Sequence, residues 1–215
     1  MILSDRDILK FIESGDIEIT PFDRDCLGTN SYDVHLAPTL LVYEVAFPAY
    51  DVTQRTAHTL IGRTLEEPYL DCKIEPKTLE LTIPEQGFIL YPGTLYLAAT
   101  VEHTSTYKHI PFLEGKSSLG RLGLSIHVTA GKGEVGFVGF WTAEMTVIHP
   151  LRVYAGMPVG QLFYHEVSSL PLVDYRDKST QKYSHSNSPK PIASKMYKNF
   201  PDGVPLPKDP NRQDR

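Results

Sequence analysis

TLELTIPEQGFILYPGTLYLAATV, residues 78–101, contains three short runs, Thr78–Ile83, Phe88–Leu90 and Leu95–Val101, each rich in β-branched, aliphatic or aromatic residues. Pro84, Gly87 and the Pro92-Gly93 pair separate them. Proline inside a helix costs about 3 kcal/mol, and glycine about 1 kcal/mol relative to alanine, so no helix runs through this stretch. It reads as strands joined by tight turns. The same pattern extends outward to Leu40–Val45 upstream and Val159–Val167 downstream, with Pro150 and Gly156 as further breaks. Many short strands with turn signals predict a mainly β chain, a sandwich or jelly-roll-like barrel. Helical periodicity is confined to the start. There Ser4 and Asp7 form a variant capping box ahead of Ile8, Phe11 and Ile12, and Gly15 supplies the stop.

Length and composition bound the function. At 215 residues the chain fits one domain with a tail and can bury a sizeable core. A net charge of −5 argues against a general nucleic-acid binder, while leaving room for a local cationic pocket. Cys26 and Cys72 have no metal-like spacing, so neither a disulfide framework nor a zinc site is expected. The opening MILSDRDILK is charged within five residues, and no apolar run approaches bilayer length. No membrane association and a cytoplasmic location are the expectation.

From about Asp174 the composition turns polar, with lysine, serine and tyrosine around the Pro189-Lys190-Pro191 break. Two readings are open: a disordered extension, or a flap over residues 174–200 that orders over a ligand, with Tyr175 and the Lys182-Tyr183 pair supplying stacking and charge. Residues 201–215 have too few apolar groups to offset their own ordering and are expected to be disordered. The domain itself is expected to span residues 1–173.

EGKSSLGRLGLS, residues 114–125, carries glycines, serines and two cations with little bulk between them. Lys116 and Arg121 flank Ser117, Ser118, Leu119 and Gly120. Hydroxyls and exposed backbone N–H groups beside cations suit a phosphate, because charge-assisted hydrogen bonds are the strong ones. The order is not that of a P-loop. A surface loop with ordinary turn glycines is the alternative. Further on, Val135–Val147 reads as a mostly apolar strand or hairpin carrying Glu144 between Ala143 and Met145. Facing a pocket, that carboxylate suits acid–base work; facing solvent, it is an ordinary surface glutamate.

GKSSLGRLGL, HVTAG and GFVGFWTAE, in this order and spacing, resemble the dCTP deaminase branch of the dUTPase-like superfamily, together with MILSDRDI, SYDVHL (31–36), LYPGTLYLAATVE (90–102), GMPVGQL (156–162) and the tail Lys-Tyr pair. The resemblance covers roughly residues 1 to 200. It implies a dUTPase-like distorted β-barrel with a short N-terminal helix and a flexible C-terminal tail. It also implies a homotrimer with active sites between subunits, and dCTP or dUTP as ligand.

Carried over residue by residue, the resemblance makes Glu144 the proton donor and acceptor. Lys116, Ser117, Ser118, Leu119, Gly120 and Arg121 become the triphosphate segment. Ser117 and the Ala130 carbonyl hold the catalytic water, and Arg121 points to the reacting end. Glu134 lies near the deoxyribose, Thr142 and Ala143 line the base, and Tyr175 and Lys182 belong to the closing tail. His127 is left out as a packing residue. Lys116 stands where arginine is usual and Glu134 where aspartate is usual, while Lys132-Gly133 and Ser186 also depart from the pattern.

Deamination of cytosine needs water at C4, a proton at N3 and departure of ammonia. The His and Cys motifs of zinc deaminases are missing from the sequence, so the expected route is a carboxylate within a hydrogen-bonding cage, without zinc. Mg²⁺ is expected only through the nucleotide phosphates, with no metal ligands from the protein. The first expectation is therefore conversion of dCTP to dUTP and ammonia. A bifunctional enzyme that continues to dUMP and diphosphate is the alternative, favoured by Gly120 and the Thr129-Ala130-Gly131 run and disfavoured by Glu134. A plain dUTPase leaves Glu144 without a task, and a non-catalytic nucleotide-binding regulator is the reading from another class.

Overall fold

The computed structural model describes residues 1–44, 69–184 and 186–201. The chain divides into two compact units, Met1–Val42 with Leu79–Ile192, and Tyr43–Thr78 with Ala193–Arg215. In the first unit, helix α1 (Asp5–Glu13) opens with the expected box. The Ser4 hydroxyl accepts the Asp7 N–H at 3.4 Å, and the Asp7 carboxylate accepts the Ser4 N–H at 3.4 Å. Gly15, at φ +75°, ends the helix in the left-handed region where a side chain is disfavoured. Ile8 on its inner face is fully buried.

The strands are β1 (Ile17–Thr20), β2 (Tyr32–Tyr43), β3 (Thr78–Thr82), β4 (Phe88–Leu90), β5 (Tyr96–Thr106), β6 (His109–Gly115), β7 (Leu124–Ser125), β8 (Val138–Val147), β9 (Leu151–Val153) and β10 (Pro158–Glu166); the short helix α2 (Ser117–Gly120) lies between β6 and β7. One eight-stranded sheet runs β6-β10-β2-β5-β8-β7, with β1 added on β5 and β3 on β2, while β4 and β9 form a separate pair. Along that path, and between β1 and β5 and β4 and β9, neighbouring strands run antiparallel. The core includes Tyr32, Val34 and Leu36 of β2, Leu162 and Tyr164 of β10 and Met145 of β8, all essentially buried. Strand β5 is covered on both faces over residues 96–100, as a central strand must be.

The mainly β reading holds, and the stretch 78–101 delivers β3, β4 and the first half of β5. The Val135–Val147 run starts as a strand only at Val138, after a turn at Gly136 (φ +88°). Leu40–Tyr43 is the end of the longer β2; Val45 lies outside the described residues. Pro38, without an N–H to donate, is exposed where the β2–β5 register shifts between Leu36 and Leu40, so the strand passes through it as an irregularity.

In the second unit, Ser194 N–H donates to the Tyr43 hydroxyl at 3.0 Å and Tyr197 donates to Glu75 at 2.8 Å, beside a single turn of 3₁₀ helix, Met196–Asn199. The expected disordered tail falls almost wholly outside the described residues.

Candidate active site

Strand β8 alternates strictly, with Gly139, Trp141, Ala143, Met145 and Val147 inward and Thr142, Glu144 and Thr146 half-buried on the other face. Glu144 therefore lies on the face of β8 turned away from the buried residues, with intermediate exposure. Its backbone N–H donates to Ile126 O at 2.8 Å, and its carboxylate Oε2 accepts the Val128 N–H at 2.8 Å. The carboxylate is thereby fixed through Oε2 to Val128, two residues before Ala130. Across the sheet Glu144 pairs with Leu97 of β5.

Two glycines determine how that segment runs. Gly131 O accepts from Leu113 N–H, and Gly133 N–H donates to Pro111 O, both at 2.8 Å. A Cβ on Gly131 would stand 2.6 Å from the Leu113 carbonyl and 2.8 Å from the His127 ring; one on Gly133 would stand 2.7 Å from Trp141. The 129–133 chain thus lies so close to β6 that only glycine fits at these two positions. His127 packs against this chain. Its buried Nε2 has no hydrogen-bond partner among the described residues, the Glu114 carboxylate standing 3.6 Å away.

The KSSLGR segment is not an open loop. Lys116 O accepts from Leu119 and Gly120, and Arg121 N–H donates to Ser117 O, closing one turn of helix that Gly123 terminates at φ +81°. The Lys116 side chain does not cap that turn. Arg121 Nη1 donates to Ser117 Oγ, so the cation and the hydroxyl expected at the reacting end are already together. Lys116 Nζ is held by the carboxylate of Asp33, on β2. Asp33 and the Val128 N–H are partners of expected site residues that the sequence reading does not name. SYDVHL reads only as part of the resemblance, and nothing in it names Lys116 as a partner of Asp33.

Glu134 is about half exposed, and Lys132 donates to it at 3.0 Å. Glu134 lines a groove of about 480 Å³ together with Tyr175, Ile110 and the Leu170–Val173 segment. The tail root is pinned there. Tyr175 N–H donates to Val135 O at 2.8 Å, and the Tyr175 hydroxyl accepts from the N–H groups of Lys182 and Tyr183 at 3.2 and 3.3 Å. Arg176 lies over the Tyr107 ring at 4.6 Å and pairs with Asp174, holding that carboxyl below its usual range. Ser184 Oγ accepts the Val138 N–H and donates to the Val138 carbonyl, and Ile192 N–H donates to Thr142 Oγ1 at 3.0 Å. The described residues between 174 and 192 therefore form a strap along the edge of β8.

The contacts bring Ser117 together with Arg121 and Glu134 together with Tyr175, and they tie Glu144 to Val128, two residues before Ala130. Among the described residues no hydrogen bond or ion pair joins Glu144 to Ser117 or Arg121. Nor do three His, Cys, Asp or Glu side chains gather there as metal ligands. No described helix is long and apolar enough to cross a membrane.

A family model described as dCTP deaminase-like matches residues 2–167. A protein from Leptospira biflexa named "dCTP deaminase, dUMP-forming" is 42% identical over 200 residues, spanning 93% of this chain and 98% of its own. One of the same name from Clostridium acetobutylicum is 40% identical, spanning 93% and 99%. Among solved structures, the 2'-deoxycytidine 5'-triphosphate deaminase from Agrobacterium tumefaciens shares the fold, with TM-score 0.53 and 19% identity over 77% of this chain and 48% of that one.

Proposed function

The chain belongs to the dCTP deaminase-like family, and from that premise we propose that it hydrolyses dCTP to dUMP, diphosphate and ammonia. The observation that carries the chemistry is the half-buried Glu144 carboxylate, anchored through one oxygen to Val128 N–H at 2.8 Å. The other oxygen takes a proton from a water held by Ser117 Oγ and the Ala130 carbonyl. The water oxygen bonds to C4, the proton passes to N3, and a further transfer lets the C4–N4 bond break and ammonia leave. Arg121, oriented by Ser117, stabilises charge that builds at the reacting end. A second water then attacks phosphorus with Glu134 as base, giving dUMP and diphosphate.

Mg²⁺ belongs to the substrate in this reading, riding on phosphate oxygens that Lys116, the turn Ser117–Gly120 and Arg121 receive. Thr142, on the Glu144 face, lines the base, Ala143, whose side chain is buried on the other face, contributes backbone only, and Tyr175 and Lys182 close over it. That no hydrogen bond or ion pair among the described residues joins Glu144 to the Ser117–Arg121 pair supports a homotrimer in which neighbouring copies complete each site. The reaction class suits a cytoplasmic enzyme.

The dUMP-forming step rests on the names of the relatives, together with Gly120 and the Thr129-Ala130-Gly131 run. One observation favours stopping at dUTP: the Glu134 carboxylate is engaged by Lys132 at 3.0 Å. A time course with Mg²⁺ and dCTP separates the two. Ammonia and diphosphate released in equal amounts support the dUMP-forming reading, accumulating dUTP supports the deaminase alone, and binding without turnover supports a regulator.

A further inference from the structure

Asp33 has no part in the reaction as described, yet it fixes a residue that does. Its carboxylate receives an N–H of Lys116 across 83 positions of sequence, and the two side chains are only 31% and 26% exposed. The strand beneath it is braced on both sides. Ser31 donates to Gln161 of β10 at 3.3 Å, and His35 meets Glu102 of β5 through its backbone N–H at 2.9 Å and its ring Nδ1 at 2.5 Å. Glu102 is only 2% exposed. Ser31, Asp33 and His35 alternate with the buried Tyr32, Val34 and Leu36, so they share the face of β2 turned away from the core. Asp33 thus sits between two anchored neighbours on a rigid strand. The lysine, on four rotatable bonds, is the partner that adapts.

A lysine ammonium offers three N–H donors without the planar fork that pre-organises an arginine. Freezing a free lysine on a ligand costs side-chain entropy. Tethered to Asp33, Lys116 has lost that freedom before a ligand arrives and keeps two donors for phosphate oxygens. The arrangement also distributes charge, because Lys116 is matched by Asp33 while Arg121, on a neutral hydroxyl, forms no ion pair among the described residues.

Resting on the reading of Lys116 as a phosphate contact, we infer that Asp33 is a positioning residue that presents Lys116 to the outer phosphates of the nucleotide. It therefore acts on triphosphate and not on monophosphate. The test is titration calorimetry of dCTP and dCMP, each with Mg²⁺, against the parent, Asp33→Asn, Lys116→Met and the double variant, with melting curves on each. Asp33→Asn should weaken dCTP about five-fold and leave dCMP unchanged. In the Lys116→Met background the same change should leave dCTP binding equal or tighter, since it then removes only a negative charge. Unchanged or tighter dCTP binding by Asp33→Asn alone would overturn the inference, as would equal losses in both backgrounds. If Asp33→Asn does not fold, Asp33→Glu decides the matter, because a carboxylate one methylene longer displaces the ammonium and must weaken dCTP relative to dCMP. An unchanged ratio overturns the inference. A parent that binds no dCTP fails the proposed function as well, whereas a parent that binds it while Asp33→Asn is silent fails the inference alone.

Discussion

Replacing Glu144 by glutamine removes a proton shuttle while changing very little shape. The side-chain oxygen that accepts the Val128 N–H at 2.8 Å survives as an amide oxygen, so the 126–131 segment keeps its anchor. Even full loss of that hydrogen bond would cost about 1 kcal/mol, a fall in melting temperature of about 2–4 °C for a chain of this size. Loss of acid–base catalysis is worth about 10²–10⁴ in rate, or about 3–5 kcal/mol of barrier. Lys116, Arg121 and the α2 turn are untouched, so dCTP affinity should stay within about two-fold, well under the 1.4 kcal/mol that a tenfold change represents. Ammonia release measured beside calorimetric dCTP binding separates these quantities. Turnover above about a tenth of the parent rate would remove Glu144 from its role, since no general base contributes so little. Parallel loss of binding and turnover would make it a ligand contact and not the shuttle.

Three further outcomes follow from the packing. Burial holds the His109 imidazole, set against Phe11 at 4.3 Å, below its ordinary value of 6.5, so the folded chain resists a proton that the unfolded chain accepts. Its contribution to stability is complete above pH 6.5 and declines as the pH falls from there to the lowered folded value; His109→Gln should flatten that decline in melts between about pH 7 and 5, and an equal slope would refute it. At Gly136 a Cβ would stand 2.8 Å from Asp174 at φ +88°, whereas at Gly93, φ +81°, nothing lies within 4 Å. Gly136→Ala should therefore cost more than Gly93→Ala in chemical denaturation, by about 1 kcal/mol or more, and should expose residues 174–184 to protease; equal costs would deny the strap contact. Ser184→Ala removes both bonds to Val138 and should raise the KM for dCTP several-fold with kcat nearly unchanged, whereas an unchanged KM would mean that the strap does not serve binding.

What could be read from the sequence was what local chemistry decides. The Ser4–Asp7 box and Gly15 set α1, and proline and glycine between 78 and 101 separated β3, β4 and β5. Strand β2 was harder, because Asp33, His35 and Pro38 are poor strand formers. They are tolerated because Asp33 pairs with Lys116 ahead of α2, His35 pairs with Glu102 of β5, and Pro38 sits at an irregularity. The Ser117–Gly120 helix looked like a loop because serine and glycine are weak helix formers; one turn closes there through Lys116 O. The tail looked undecided because composition counts apolar groups, whereas the strap is held by backbone and hydroxyl contacts at Val135, Val138 and Thr142. Glu144 was legible as a residue through its motif, but its anchor at Val128 was not, since a backbone N–H carries no sequence signature.

The most direct test of the central claim is conversion of dCTP by the full chain in ¹⁸O-labelled water, with mass spectrometry of the nucleotide and of diphosphate. Two hydrolytic steps predict dUMP with one ¹⁸O as the carbonyl oxygen at C4 of uracil and a second ¹⁸O on either the dUMP phosphate or the diphosphate. Label in the base alone, on accumulating dUTP, would contradict the second step. Unlabelled cytosine nucleotide with no ammonia would contradict the account as a whole.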